Sequence, residues 1–195
     1  MGGLRAASTR RCTCCESRAA RPPRGSGMQL ARATWHVGPV TGDHGPVSDT
    51  RCQIRPAGAG DAAAVADLAS ELAQSFTFSQ AGFDRSYPAL LASDGACLLL
   101  AVNGHERLGY LLGFEHLTFY ASGPVAWVEE VFVRGRHRGR GAGRALMSGF
   151  EQWAAARECA LVALATRRAA PFYRALGYEE SAIYHRKILD TQARQ

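Results

Sequence analysis

Residues 127–153 read WVEEVFVRGRHRGRGAGRALMSGFEQW, and this segment decides the fold of the chain. Val128 and residues 131–133 are β-branched or aromatic, which is typical of a buried strand. Glycines and arginines alternate through the next ten residues. From Ala142 to Ala154, apolar residues recur at three- and four-residue steps, as on one face of a helix. The segment therefore predicts a strand, a basic glycine-rich loop and an amphipathic helix.

The composition of the loop favours a phosphate-binding site. Glycines let the backbone approach a ligand, and the first N–H groups of a helix have no partner within it. The helix dipole and nearby arginines also favour an anion. The loop is not a Walker-type loop, because Gly143-Arg144-Ala145 stands where Gly-Lys-Ser/Thr is required. It is not a dinucleotide fingerprint either, because the glycines at 139, 141 and 143 do not fit G-x-G-x-x-G.

Two motifs in order resemble those of the GNAT superfamily, the acetyl-CoA-dependent N-acetyltransferases. Residues 138–143, RGRGAG, match R-x-x-G-x-G and follow a strand pattern that ends at Val133. Residues 169–178, AAPFYRALGY, are similar to the later family segment A-x-x-F-Y-x-x-x-G-[FY]. The resemblance covers about residues 52 to 189 and is far more specific than either motif alone.

The order of the expected elements predicts an α/β (α+β) fold. Hairpins come first and a strand–helix–strand unit follows, which predicts a mixed sheet flanked by helices. The resemblance implies a mostly antiparallel sheet that splays after its fourth strand, with the pantetheine arm entering the gap. We expect strands at 52–56, 96–102, 108–119, 125–133, 160–166 and 178–189, and helices at 62–76, 86–92, 142–157 and 169–176.

The resemblance implies acetyl-CoA as co-substrate and a set of residues that bind it. Backbone groups of Val131 and Val133 are expected to pair with pantetheine amides, and the amides of residues 138–144 to hold the pyrophosphate. Thr166 departs from many relatives, which have Asn there, but a hydroxyl still donates and accepts. The complete implied set is Val131, Phe132, Val133, Arg138, Gly139, Arg140, Gly141, Ala142, Gly143, Arg144, Thr166 and Tyr173.

Glu129 and Glu130 are candidates for general base catalysis. An alkylamine with a pKa of about 10.4 is protonated at neutral pH, so a base or water relay helps its attack. Consecutive strand residues face opposite sides, so one of the two carboxylates would be costly to bury unless a bulge or open cleft intervenes. In relatives that act on di- and polyamines, the first acid of a similar pair deprotonates the amine. This implies Glu129 as base and Glu130 as alternate base or anchor for a cation; the structural alternative is pairing with backbone amides or an arginine.

Tyr173 is the candidate general acid. It matches the family tyrosine whose hydroxyl lies near the sulfur of acetyl-CoA and protonates the leaving thiolate. A thiol pKa of about 8.5 and a phenol pKa of about 10 make that transfer plausible without large tuning. The alternative is a tyrosine that only packs on the cofactor. Tyr184 and His185, in the expected last strand, are further candidates.

We therefore expect an N-acetyltransferase that works by direct attack of a primary amine in a ternary complex. No Cys or Ser stands in an activated-nucleophile arrangement, which argues against an acetyl-enzyme. The paired acids favour a small cationic amine as acceptor, and Phe76, Phe78, Phe83 and Tyr87 are candidates to line its pocket or to belong to the core. The alternatives are a non-catalytic acyl-CoA-binding regulatory module and an enzyme that acetylates a protein amine.

Composition predicts one domain with an N-terminal extension. Apolar residues make up 47% of 195, enough for a core, and no apolar run reaches the ~20 residues of a membrane span. Residues 1–50 carry seven Arg against three acids, a net charge of +4, and are expected to be disordered or linker-like. The acetyltransferase domain is expected at 51–190. Met28 is an alternative start, in which case residues 1–27 are not part of the native protein.

Several partners are not expected. A nucleic-acid interaction would rest mostly on the basic extension, and no secretory signal is evident, so a cytoplasmic protein without membrane or nucleic-acid partners is expected. Cys12, Cys14 and Cys15 lack a second ligand pair at zinc spacing, so no metal is expected. Homodimers are common in the family, which makes a homodimer the alternative to a monomer.

Overall fold

The computed structural model describes residues 52–73 and 76–189. Its strands in these ranges are β1 Gln53–Pro56, β2 Ala96–Asn103, β3 Glu106–Thr118, β4 Gly123–Val133 and β5 Val162–Leu164. Its α-helices are α1 Ala62–Leu72, α2 Gln80–Ala92, α3 Ala142–Ala155 and α4 Ala170–Arg174. The predictions for residues 1–50, including those for the cysteine cluster and the alternative start, lie outside the described residues.

The five strands form one sheet in the order β1-β2-β3-β4-β5. The first four pair antiparallel and β5 pairs parallel to β4. The Asn103-Gly104 turn joins β2 and β3, with Gly104 at a φ of 56°. The expected mixed, mostly antiparallel sheet flanked by helices is confirmed.

Helices cover both faces of the sheet. On one face α3 packs Leu146, Met147 and Phe150 against β1–β4, and Leu146 and Phe150 are completely buried. On the other face α1 and α2 bury Leu68 and Tyr87 in a second cluster with the alternate residues of β2 and β3. These two faces are called the α3 face and the α1/α2 face below. Burial of both faces explains the nearly continuous apolar run of β2.

A β-bulge at Glu129 interrupts the alternation of β4. Val128 pairs with Gly113 and Glu130 pairs with Leu112, so Glu129 is an extra residue without an opposite partner. Val128 and Val131 both belong to the cluster on the α3 face, although three positions separate them. The bulge therefore places both intervening carboxylates away from α3. Neither carboxylate is buried against α3, as one of them would be in a regular strand.

The sheet splays beyond the bulge. β5 pairs with β4 only along residues 126–128, and its pairing ends at Leu164. From the bulge to Val133, β4 has β3 on one side and a gap on the other. The expected splay after the fourth strand is confirmed.

Asp61 directly precedes α1, but its side chain does not cap the helix. The carboxylate lies 2.6 and 2.7 Å from the guanidinium nitrogens of Arg55 and accepts the Gly58 amide at 3.0 Å. The Arg55 hydrogen bond is the main reason that the pKa of Asp61 lies well below its usual range. The Asp61–Arg55 ion pair thus connects the start of α1 to β1.

Two helices differ from the sequence prediction in length. The first ends at Leu72 rather than at residue 76. The second spans Gln80–Ala92 rather than 86–92, because Ser79 caps it by accepting the Gly82 amide at 3.2 Å. Gly82 and Pro88 lie inside this helix although both residue types disfavour helices. Packing of Phe83 and Tyr87 on the α1/α2 face offsets the poor helix propensity of Gly82 and Pro88.

The strand predicted for residues 178–189 does not form. Residues 179–189 have exposed side chains, and the described sheet contains no strand beyond β5. A strand requires its backbone to pair with a neighbouring strand, and these residues pair with none in the described sheet. Gly177, at a φ of 91°, follows the α4 region and stops the chain from continuing as a helix. Among the described helices, none has the length and apolarity needed to cross a bilayer.

Candidate functional site

A cleft of about 1200 Å³ runs through the splay of the sheet. One end is lined by α1, α2 and the chain between them, and the other by the loop before α3, the end of β5 and α4. Residues 128–133 of β4 lie between the two ends. The bulge, the open strand edge and the glycine-rich loop therefore share one cavity.

The open edge of β4 presents free backbone groups to this cleft. The Arg134 amide donates to the carbonyl of Leu108 in β3 at 3.0 Å, so even-numbered residues after the bulge direct their backbone groups toward β3. Val131 and Val133 direct theirs toward the gap. Arg138 Nε donates to the Val133 carbonyl at 2.8 Å, from that same side. An extended ligand with amide groups would pair here as an added strand does.

Phe132 differs from its two neighbours. Its side chain is buried in the cluster on the α1/α2 face, and its backbone groups belong to the pairing with Tyr110 of β3. It lines the cleft through its ring alone, and it supports the Arg138 guanidinium, which lies 5.7 Å from the ring centre.

The glycine-rich loop leaves open space at the start of α3. Gly139 and Gly141 have φ values of 74° and 88°, and nothing lies within 4 Å of a Cβ built on either. Gly141 is the N-cap of α3, and a glycine offers no side chain to satisfy the first amides of the helix. Gly143 is closely packed, since a Cβ there would lie 3.3 Å from the Phe172 ring. The first amides of α3 therefore face the open space beside Gly139 and Gly141, here called the cradle, and this arrangement suits a phosphate group.

The structure separates the loop residues by position. Arg138 and Arg144 line the cleft together with Gly139, Gly141 and Gly143. Arg140 is exposed and does not line it, and the Ala142 side chain is buried under α3. Ala142 can therefore contribute only its backbone amide to an anion in the cleft. Arg140 contributes a positive charge from farther away.

Glu129 and Glu130 both line the cleft but have different partners. Glu129 is exposed, and its carboxylate accepts the Trp127 indole N–H at 3.1 Å. Glu130 is half-buried and accepts the hydroxyl of Tyr110 at 2.5 Å. Burial, and then the adjacent Glu130 charge, raise the pKa of Tyr110 far above its ordinary value. The Tyr110 hydroxyl therefore remains a donor that holds Glu130 in place.

Tyr173 and Thr166 also line the cleft. The Tyr173 ring packs edge-on against Phe172 and Tyr178, with ring centres 5.0 and 5.9 Å away. Burial raises the pKa of Tyr173, so its phenol stays protonated at neutral pH. Thr166 Oγ1 accepts the Ala169 amide at 3.1 Å and thereby fixes the entry to α4. Its hydroxyl proton is left for another acceptor.

Sequence reasoning missed Tyr110 and Phe172 as parts of the site. Tyr110 reads as one more apolar residue in a strand, and only the pairing of β3 with β4 brings it to Glu130. Phe172 belongs to a recognised motif, but its contact with Gly143 spans two separate elements. No local signal in the sequence marks either contact.

The remaining candidates divide between the cleft and the C-terminal segment. Phe76, Phe78, Phe83 and Tyr87 all line the cleft, and Tyr87 is also a buried core residue whose hydroxyl donates to the Gly58 carbonyl at 2.7 Å. Tyr184 lines a separate cleft of about 410 Å³ with Glu129. His185 is exposed and lines neither cleft.

Within the described ranges, no three His, Cys, Asp or Glu side chains form a group able to hold a metal ion. The arrangement provides a strand edge, a helix N-terminus with arginines, two carboxylates and a protonated phenol in one cavity. It fits a ligand with an extended amide chain and phosphates. A second, amine-bearing molecule could meet that ligand between the carboxylates and Tyr173.

Comparisons with known proteins agree with this fold. A model of the acetyltransferase (GNAT) family matches residues 64–178, more than half of the chain. No curated protein sequence matches significantly. Among solved structures, a transcriptional regulator from Bacillus halodurans is 23% identical, with a TM-score of 0.66 over 71% of this chain and 100% of its own.

Two further structures have the same fold. Glucosamine-6-phosphate N-acetyltransferase from Arabidopsis thaliana is 19% identical, with a TM-score of 0.64 over 71% of this chain and 99% of its own. The structure of AAC(6')-Iy in complex with the bisubstrate analogue CoA-S-monomethyl-acetylneamine is 21% identical, with a TM-score of 0.62. That match covers 72% of this chain and 100% of the other.

Proposed function

Because the chain belongs to the acetyltransferase (GNAT) family, a family of acetyl-CoA-dependent N-acetyltransferases, we propose that it transfers an acetyl group from acetyl-CoA to the primary amine of a small cationic molecule. The amine attacks directly within a ternary complex. The observation that carries this proposal is the shared cleft, in which the open edge of β4 and the α3 N-terminus face the same cavity as the carboxylates and Tyr173.

The cofactor's parts have separate places in this proposal. Backbone groups of Val131 and Val133 pair with the pantetheine amides. The amides at the start of α3, with Arg138 and Arg144, hold the pyrophosphate. For this to happen, the Arg138 guanidinium has to release or share the Val133 carbonyl, to which it is now bonded. Bound acetyl-CoA supplies an activated acetyl carbonyl and a thiolate leaving group.

The protein's own groups move the protons. Glu129 is exposed at the bulge, where it is free to accept a proton from the incoming ammonium, directly or through water. Glu130, fixed by Tyr110, attracts the cationic acceptor. Tyr173 stays protonated because burial raises its pKa, and it donates its proton to the departing sulfur.

The described cysteines favour direct transfer over an acetyl-enzyme. Cys52, Cys97 and Cys159 do not line the cleft. Burial raises the pKa of Cys97 to about 12, so this thiol is protonated at neutral pH and is a poor nucleophile.

The proposal is tested first by isothermal titration of acetyl-CoA into the protein. We expect micromolar binding that Gly141→Glu weakens at least ~100-fold, because a carboxylate in the cradle repels the pyrophosphate. Gly104→Glu is the matched control, since Gly104 also has a positive φ, of 56°, but lies in the β2–β3 turn. Absence of acetyl-CoA binding to the wild type would contradict the proposed function.

A further inference from the structure

The end of the cleft at α1 and α2, here called the acceptor arm, has apolar walls. Phe78 and Phe83 lie with ring centres 6.0 Å apart, and Phe83 stacks on the buried Tyr87 at 5.1 Å. Both phenylalanines are half-buried. The arm is lined by Leu72, Phe78, Phe83, Leu90, Leu98 and Leu112.

In the part of the chain that the structure describes, negative charge reaches the cleft at one place. Among the described residues that line it, Glu129 and Glu130 are the only carboxylates, and they are neighbours at the bulge. Glu130 is held by Tyr110, which lines the cleft beside Leu112 and Leu98. The inner end of the acceptor arm therefore has the Glu130 carboxylate, and the described residues along the walls of the arm include no carboxylate.

This distribution of charge discriminates between amines. One ammonium group can lie against the carboxylates, and a hydrocarbon body can then fill the arm and remove apolar surface from water. A second ammonium at the far end of the body would lose water without gaining a carboxylate. The arginines at 138, 144 and 167, which line the other end of the cleft, would repel a second ammonium placed there.

We propose that the acceptor is a primary monoamine with an aromatic or aliphatic body, and that the acceptor arm selects it over di- and polyamines. This inference rests on the proposed function and specifies its substrate class. Glu130 receives the ammonium, and Phe78 and Phe83 contact the body. Monoamines are selected because both carboxylates lie at the inner end of the acceptor arm and its described walls carry no charge.

The test compares hexylamine with 1,6-diaminohexane, two acceptors of nearly equal length that differ by one terminal ammonium. Thiol release from acetyl-CoA gives kcat/KM for each, with 2-phenylethylamine as the aromatic member of the series. We expect hexylamine and 2-phenylethylamine to exceed the diamine at least about tenfold, because the second charge is desolvated in the arm.

A variant reverses the charge pattern. Phe78→Asp adds a carboxylate to the arm from a position just before the α2 cap, and it should shift the preference toward the diamine at least about fivefold. Phe119→Asp is the control, because Phe119 is fully exposed and lies outside the cleft, and it should leave the preference unchanged. A preference that Phe78→Asp does not shift would contradict the assignment of Phe78 to the acceptor arm.

The outcomes separate this inference from the proposed function. Equal or better use of the diamine by the wild type would overturn the substrate class, while the thiol release itself would support acetyl transfer. The inference is also overturned if CoA-saturated protein neither binds nor acetylates the two monoamines although acetyl-CoA binds. Failure of acetyl-CoA binding would instead remove the proposed function.

Discussion

At the scale of residues, the adjacent carboxylates of β4 illustrate how one extra residue changes chemistry. In a regular strand Glu129 and Glu130 would face opposite sides, and one would be buried against α3. The bulge gives both a place away from α3, with Trp127 and Tyr110 as separate partners. Equal side chains thereby acquire unequal surroundings, which is how proteins assign different roles to paired acids.

These unequal surroundings lead to a prediction for the two isosteric variants. Glu129→Gln should lower kcat at least ~100-fold with little change in KM, because it removes the proposed base. Glu130→Gln should mainly raise KM for the amine, since it removes the anion that attracts the acceptor. Steady-state kinetics with a varied amine at saturating acetyl-CoA measure both. The reverse pattern would exchange the proposed roles.

Tyr173 gives a second prediction at this scale. Tyr173→Phe should lower kcat by about 10² or more while acetyl-CoA affinity is kept, because only the proton donor is lost. Burial raises the pKa of Tyr173 above its ordinary value, so the phenol loses its proton only when the pH rises through that raised value. The ratio of wild-type to variant kcat should therefore be constant between about pH 6 and pH 9.

The control for this variant is a tyrosine next to Tyr173. Tyr178→Phe removes a hydroxyl that donates to Glu151 at 2.8 Å and does not line the cleft. It should leave kcat nearly unchanged. Equal losses of kcat in both variants would indicate a packing role for Tyr173 rather than a catalytic one.

At the scale of elements, β4 performs three tasks along eleven residues. Its first part pairs with β3 on one side and β5 on the other, and thereby joins these two strands in one sheet. The bulge then presents the carboxylates. Its last part, from Val131 to Val133, keeps one edge open to the cleft. This division depends on β5 ending at Leu164, because a longer partner would occupy the edge that a ligand needs.

Gly113 on β3 allows the tight packing behind the bulge and gives a prediction for stability. A Cβ there would lie 2.5 Å from the Phe150 ring and 2.8 Å from the Trp127 carbonyl. Gly113→Ala should therefore lower the free energy of unfolding by about 1–3 kcal/mol. Urea unfolding measures the change. Gly60→Ala is the control, because a Cβ at Gly60 meets nothing within 4 Å, and it should be close to neutral.

At the scale of the whole molecule, the site exists because the sheet opens between its covered faces. Elements of the α1/α2 face supply the acceptor arm, and α3 and α4 supply the cradle and Tyr173. Among the residues that the structure describes, the fully buried apolar side chains lie between Ile54 and Ala154, and partly buried ones extend the core to Tyr178. We therefore propose residues 51–190 as the acetyltransferase domain, with 1–50 as an extension.

This domain assignment predicts the effect of removing the extension. A chain that begins at residue 51 should have the same midpoint of thermal unfolding within about 2 °C and the same acetyl-CoA affinity within about twofold, because surface changes away from the core typically have small effects. Calorimetry and titration check the two values. A marked fall in either would show that residues 1–50 contribute to the folded domain or to its site.

The sequence by itself determined the elements whose signals are local. The glycines at 139 and 141 have the positive φ values that their residue type permits, and the helical period of residues 142–154 became α3. The order of hairpins and strand–helix–strand followed from turn residues and periodicity. Most residues that the sequence analysis expected to bind a cofactor line the cleft, except Arg140 and Ala142. Leu164, Ala165 and Phe172 line it without having been expected there.

Only the tertiary structure decided the features that depend on distant pairing. The register of β3 against β4 created the bulge and joined Tyr110 to Glu130. Packing against the sheet kept α2 helical through Gly82 and Pro88, and residues 179–189 pair with no strand of the described sheet. Periodicity reports which face of an element is apolar, whereas register, edges and clefts depend on residues far away in the chain.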